Sequence, residues 1–276
     1  MSLPVRRAAT GRARPSVARA SAGISASRIL AAVTLLASAA ALYGVSVSDA
    51  FALEPADVRI EGAGYASEAA VRDALDLEGH ATNVFRLRTG ELAQRLKRIP
   101  AVRDATVSVA LPDRLVVQLA ERVPILVWQR GPVRLLMDVE GMIFARQPAG
   151  VADTVPTIAD RRDPQVSGAL DVGERLGAID LAVVRRLGAL APSQVGSTAP
   201  TFTITRTDDE GWVVEAGPGR WRAVFGFYTP SLRTPELLPR QVQCLRELLV
   251  GREELLRVIY LSPVGDRCGT YAEKTG

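Results

Sequence analysis

The spacing of hydrophobic and polar positions changes several times along this chain, and each change marks an element. From Ile29 to Ser48 no residue is charged. At about 1.5 Å rise per residue, those 20 positions predict a helix of roughly 30 Å, the thickness of a bilayer's hydrocarbon core. Further on, Val58 and Ile60 alternate with Asp57, Arg59 and Glu61, which predicts a half-buried strand ending at Gly62-Ala63-Gly64. Ser67 is placed as an N-cap, with Val71, Ala74 and Leu75 on one face of a short helix. After a loop at Glu78-Gly79-His80, Thr89 offers the next N-cap. Leu92, Leu96 and Ile99 then fall at helical spacing, and Pro100 stops the run. Ala105, Val107, Val109 and Leu111 alternate with Thr106, Ser108 and Ala110, Pro112-Asp113 turns the chain, and Leu115, Val117 and Leu119 return as a hairpin partner.

Beyond Pro124 the period is mainly two. Ile125–Trp128, Val133–Met137 and Met142–Phe144 read as strands, the last two joined by a turn at Asp138-Val-Glu-Gly141. Leu176, Ile179, Val183, Leu187 and Leu190 mark a helix closed by Pro192. Thr201–Arg206, Trp212–Ala216 and Trp221–Phe227 are three more strands, separated by Asp208-Asp-Glu-Gly211 and Gly217-Pro-Gly219. Leu238, Val242, Leu245 and Leu249 stripe a second helix, and Arg257–Ser262 is the last predicted strand before Pro263. The final dozen residues are polar and read as a loose tail.

Composition removes several chemistries. One histidine (His80) and two cysteines outside any CxxC pair exclude a multi-histidine metal site and a structural zinc. His80 reads as a surface loop residue and Asp208-Asp209-Glu210 as a solvated turn rather than paired catalytic carboxylates. The Gly-x-Gly segments lack the strand-to-helix setting of a phosphate cradle, and no Gly-x-Ser-x-Gly elbow is present. The expectation is a protein that is not an enzyme and takes no cofactor. Cys244 and Cys268 either pair or remain separate, Cys244 lying beside an apolar helical stripe.

Charge adds an orientation. Residues 1–28 hold six arginines and no acid, so removing them from the net charge of +4 leaves −2 on the remaining 248 residues. Arginines before the apolar run, with Asp49 and Glu54 after it, predict a cytoplasmic N-terminus and an extracytoplasmic body. A cleavable signal peptide is the rival reading. It is disfavoured by the length of both the basic and the apolar segments. Without interleaved aromatics, the arginine tail reads as a topology signal attracted to anionic lipid rather than a nucleic-acid site.

The string Val58-Arg-Ile-Glu-Gly62, the short helix ending in Leu75, Asn83-Val-Phe85, Leu92…Ile99-Pro100-Ala-Val102, Ala105-Thr-Val107, Leu111-Pro112-Asp-Arg-Leu115 and Glu121-Arg122-Val-Pro124 occur in one order. That ordered set resembles the POTRA domain of the FtsQ/DivIB family of bacterial division proteins. The organisation is then a basic tail (1–28), a transmembrane helix (29–48), a β-α-α-β-β POTRA domain (53–122), a β-rich domain with two helices (123–263) and a flexible tail (264–276). The fold class is α+β. The segment Val258-Ile-Tyr-Leu-Ser262 departs from the Ile-Asp-Leu-Arg pattern expected of the family's last strand.

The resemblance implies a single-pass scaffold at the division septum in the cytoplasmic (inner) membrane. Its partners would be FtsB/DivIC-like and FtsL-like proteins and, through them, the septal peptidoglycan synthase. A terminal strand with a free edge can accept an extended partner segment by main-chain hydrogen bonding. The residues assigned to that docking edge are Val258, Ile259, Tyr260, Leu261 and Ser262, with Tyr260 as aromatic contact. A second docking surface is expected on the POTRA unit, either along Val58–Glu61 or on the first helix. The alternative function is a POTRA-bearing accessory of secretion or outer-membrane assembly that handles unfolded chains.

Overall fold

The uncharged run folds as one helix, α1 (Ala26–Val47), 22 residues and about 33 Å long. It starts three residues before the predicted boundary, taking in Arg28. The computed structural model describes residues 26–77, 82–168, 170–231, 233–264 and 267–274, so His80 and most of the arginine-rich tail lie outside the described residues. Among the described residues α1 is the one helix long and apolar enough to cross a membrane. Leu30, Val33, Leu35, Leu36 and Leu42 along it are exposed, as lipid-facing side chains are. The chain divides into two units between Asp49 and Ala50.

The second unit opens with a short strand, β1 (Ala52–Leu53), and with β2 (Val58–Glu61). Ser67 Oγ accepts the Ala70 N–H at 3.1 Å and starts helix α2 (Glu68–Leu75). Strand β3 (Thr82–Asn83) pairs with β1. Helix α3 (Thr89–Leu96) differs from the sequence reading at its start: Arg88, not Thr89, occupies the N-cap position without a side-chain cap, and its guanidinium pairs with Glu91 at 2.9 Å. Strands β4 (Val102–Ala110) and β5 (Arg114–Glu121) make the predicted hairpin, and β2 joins β5 in parallel, giving the order β2-β5-β4. Val71, Leu75, Leu92 and Leu96 from the helices bury against Leu115 and Val117 of the central strand. Because the Ser67 hydroxyl satisfies an otherwise orphaned amide of an eight-residue helix, Ser67→Ala is expected to cost about 1 kcal/mol. The midpoint of chemical denaturation checks this.

The remaining strands form a single nine-stranded sheet. Strands β6 (Leu126–Arg130), β7 (Val133–Met137) and β8 (Ile143–Arg146) are consecutive antiparallel neighbours. Strand β9 (Thr157–Asp160), which the alternation had not announced, returns beside β6 in parallel. After the short helix α4 (Pro164–Ser167) and helix α5 (Ala178–Gly188) come β10 (Thr203–Thr207), β11 (Gly211–Glu215) and β12 (Arg222–Gly226). Helix α6 (Leu238–Leu249) then crosses over to β13 (Leu256–Leu261), parallel to β12. The tail expected to be loose instead contains a further strand, β14 (Gly269–Glu273), antiparallel to β13.

Period-two alternation divides the sheet's side chains between two environments. One face carries Trp128, Trp212, Val214, Phe225 and Ile259 into a core closed by Val183 and Leu187 of α5 and by Leu245 and Leu249 of α6. On the other face, Val127, Leu136 and Phe144 join the core of the β2-β5-β4 domain. Tyr65 meets Phe144 edge-on at 5.2 Å between ring centroids. A polar clasp reinforces this junction. The Arg122 guanidinium pairs with Asp138 and with Glu140 (3.1 Å) while its Nε donates to the Pro100 carbonyl at 3.1 Å. The two domains of this unit therefore share a core.

Candidate partner-binding edge

Strand β13 does not end the sheet. It is flanked by β12 on one side and by β14 on the other, with Ile259 opposite Tyr271 and Tyr260 opposite Thr270. Ser262 lies just past β13 and donates its N–H to the Cys268 carbonyl at 3.1 Å. Val258, Ile259, Tyr260, Leu261 and Ser262 therefore have no free edge, which corrects the sequence reading. Three of them are core residues: Val258 is 8 %, Ile259 0 % and Leu261 5 % exposed, whereas Tyr260 is 45 % exposed. Tyr260 lines a groove of about 510 Å³ with Val224, Phe227 and Pro263 on the face away from α6.

The free edge belongs to β14, which has no neighbour on its outer side among the described residues. In an antiparallel ladder, residues alternate between exchanging bonds with the partner strand and facing away from it. The Ser262–Cys268 bond sets the phase, so Thr270 and Ala272 turn their main-chain groups toward β13, and Gly269, Tyr271 and Glu273 turn theirs outward. Gly269 fits because it has no side chain: its φ is +132°, and a Cβ would stand 2.0 Å from the Tyr260 carbonyl oxygen. At the far end Lys274 N–H donates to Leu255 O at 2.8 Å. The Arg252 guanidinium lies over the Tyr271 ring, 5.4 Å from its centroid.

Helix α6 positions β13 beneath this edge. Its buried face includes Gln241 and Cys244 beside the leucines. The Gln241 amide donates to Phe225 O at 3.2 Å and to Ser262 O at 3.0 Å, tying the ends of β12 and β13 together. Tyr228 donates its hydroxyl to Gln241 Oε1, and burial pushes that phenol well above its ordinary pKa, keeping it a donor. Cys244 is disulfide-bonded to Cys268, which resolves the alternative left open by the sequence; the Cα atoms are 4.9 Å apart. Just before β13, buried Glu253 accepts hydrogen bonds from Ser197 Oγ, Thr198 N–H (2.8 Å) and Trp221 Nε1 (2.9 Å). Burial alone would raise its pKa, but these donors outweigh it and hold the carboxyl at about 2.

The other buried charges are paired. Asp160 receives Arg162 at 2.9 Å and Arg130 at 3.3 Å, and Asp180 receives Arg206, whose guanidinium stacks 4.7 Å over the Trp212 ring. Burial pushes the Asp180 carboxyl up against the pull of Arg206 and Arg162. This cluster ties β9 and β10 to α5. The Asp208-Asp209-Glu210 segment is a hairpin turn as the sequence suggested, but it is fastened rather than merely solvated: Glu210 grips Arg222 at 2.6 and 2.7 Å and Asp208 accepts the Asp163 N–H at 2.6 Å.

Residues 53–122 match the family model described as "POTRA domain, FtsQ-type". The chain is similar to the cell division protein FtsQ of Chloroflexus aurantiacus, 26 % identical over 174 residues that cover 63 % of this chain and 61 % of that protein. It is also similar to FtsQ of Chloroflexus aggregans, 26 % identical over 197 residues covering 70 % of each. Against FtsQ of Mycobacteroides abscessus it is 30 % identical over 150 residues, 54 % of this chain and 47 % of the other. The aligned region thus spans about three fifths of the Chloroflexus aurantiacus protein. With the apolar N-terminal helix, the β2-β5-β4 domain and the β-rich region following in order, the chain carries an FtsQ-type POTRA domain and resembles FtsQ cell division proteins over 63–70 % of its length.

Proposed function

We propose that this protein is a non-enzymatic, single-pass scaffold of the division complex. Its N-terminus lies in the cytoplasm, its body outside the membrane and its site of action at the septum. The working surface is the outer edge of β14, which takes an extended segment of an FtsB/DivIC-like partner as a tenth strand. FtsL-like proteins and, indirectly, the septal peptidoglycan synthase are recruited through that partner. The observation that carries the reading is an exposed terminal strand with outward main-chain groups at Gly269, Tyr271 and Glu273. The arginines that flank α1 and the acids that follow it support the orientation.

Proline at Tyr271 tests the docking edge directly. It removes an outward N–H while leaving the bonds of Thr270 and Ala272 to β13 in place, and an edge strand tolerates proline when its N–H faces solvent. Tyr271→Pro is expected to weaken binding of the FtsB-like protein from the same cell at least tenfold, and Tyr271→Ala to weaken it much less. Unchanged binding by Tyr271→Pro would exclude strand addition at this edge.

A further inference from the structure

β14 is held in a way that its side chains do not account for. Four of its five residues are exposed and Ala272 is half-buried, so the strand contributes no residue to a hydrophobic core. Apart from the Arg252–Tyr271 contact, it is kept by its main-chain ladder to β13, and a short edge ladder with no apolar face frays readily. One covalent bond compensates. Cys268 immediately precedes β14, and its partner Cys244 is anchored in the α6 core at 2 % exposure, 24 residues earlier.

We propose that the Cys244–Cys268 disulfide is a latch that keeps β14 seated, so that partner docking at this edge depends on thiol state. The inference rests on the reading of β14 as the docking strand. Oxidised, the bond fixes Cys268 against α6 and presents Gly269–Glu273 in register. Reduced, β14 is left with its ladder alone, opens, and the outward groups of Gly269, Tyr271 and Glu273 no longer lie in one line. Closing a loop of this size limits the opened states, and the bond favours the seated strand on the order of 100-fold.

The chemistry is thiol–disulfide exchange with a dithiol protein of the thioredoxin type as reductant. Cys268 is partly exposed and Cys244 is not, so the incoming thiolate attacks Cys268 Sγ. The S–S bond breaks, its electron pair leaves on Cys244 Sγ, and that sulfur takes up a proton. The reductant's second thiol then displaces Cys268 from the mixed disulfide. The pair thereby gains two electrons and two protons, and the reductant departs as its own disulfide. Glu247 Oε2 lies 3.3 Å from Cys268 Sγ and repels an approaching thiolate, which keeps the latch closed by default.

The test uses the detergent-solubilised full chain in three forms: oxidised, reduced with a phosphine, and Cys268→Ser. Amide hydrogen exchange at Thr270 and Ala272 reads the latch without any partner. It is expected to quicken at least tenfold in both thiol-free forms while exchange at Ile259 and Val214 stays slow. Affinity for the FtsB-like protein from the same cell is expected to fall at least tenfold in parallel. Unchanged exchange at Thr270 and Ala272 overturns the latch. So does quickened exchange with unchanged affinity, and so does tighter binding on reduction, which would make β14 a competitor for the β13 edge. Normal binding by Tyr271→Pro alone would instead sink the docking reading, so the two failures are distinguishable.

Discussion

Arg122→Ala is expected to lower the stability of the body by about 3–4 kcal/mol, and its Tm by roughly 6–12 °C. The guanidinium joins two carboxylates and the Pro100 carbonyl where the POTRA domain meets the β domain. Asp138 is nearly fully buried and also fastens its own turn, accepting the Glu140 and Met142 N–H groups at 2.9 Å each. Truncating the arginine leaves that carboxylate buried with its counter-charge gone, which costs more than the pair contributes when intact. Asp138→Asn in the same background should restore part of the loss, since a neutral amide tolerates the missing cation. Calorimetry on the single and double variants decides it: an Arg122→Ala loss under 1 kcal/mol would mean that the junction does not depend on this clasp.

Glu253→Gln is expected to cost about 3 kcal/mol at neutral pH and to change how stability responds to acid. The carboxyl sits near 2 in the folded chain against 4.5 in the ordinary range. A depressed folded pKa means that its contribution is full above pH 4.5 and drains away as the pH falls toward 2. The two pKa values correspond to about 3 kcal/mol. Wild type should therefore lose stability faster than Glu253→Gln through that window, and the two curves should converge near pH 2. The difference between the curves isolates this residue from the other paired carboxylates. Parallel curves from pH 7 to pH 2 would show that the hydrogen bonds from Ser197, Thr198 and Trp221 do not favour the ionised form.

What the sequence disclosed follows from where side chains are buried. The POTRA domain was legible because its helices and hairpin each bury one regular face, so Val71 and Leu75, Leu92 and Leu96, and Leu115 and Val117 stand at diagnostic spacing. The β-domain hairpins were marked by turn residues at Asp138–Gly141 and Asp208–Gly211. Strand β9 escaped because it is four residues long and contributes Ile158 as its one large apolar side chain to the core. Gln241 and Glu253 were missed because polar side chains read as surface until their partners, up to 56 residues away, are known. β14 was invisible for a different reason. A strand with no residue in a hydrophobic core has no alternation to read, and its only sequence trace is Cys268, whose partner lies in another element. The free edge of the sheet therefore lies one strand further out than the sequence reading places it.

The order of strands in the large sheet, β8-β7-β6-β9-β10-β11-β12-β13-β14, has a consequence for biosynthesis. Apart from the first three, which lie in reverse, spatial order repeats chain order. A polypeptide made from its N-terminus can therefore add each new strand to an edge already in place, starting from the side supported by the POTRA domain. From β9 onward the growing margin is the newest strand. The longest wait precedes β10, whose parallel pairing with β9 needs α4 and α5 first, and a second comes at the late crossover through α6, since parallel pairing of β13 with β12 needs the whole helix. A chain stopped before that point would expose β12, with Ala223 and Phe225 in its ladder, as a raw apolar margin open to aggregation. Synthesis through β14 replaces it with the polar Gly269–Glu273 strand, so the margin turns from apolar to polar as those residues are added.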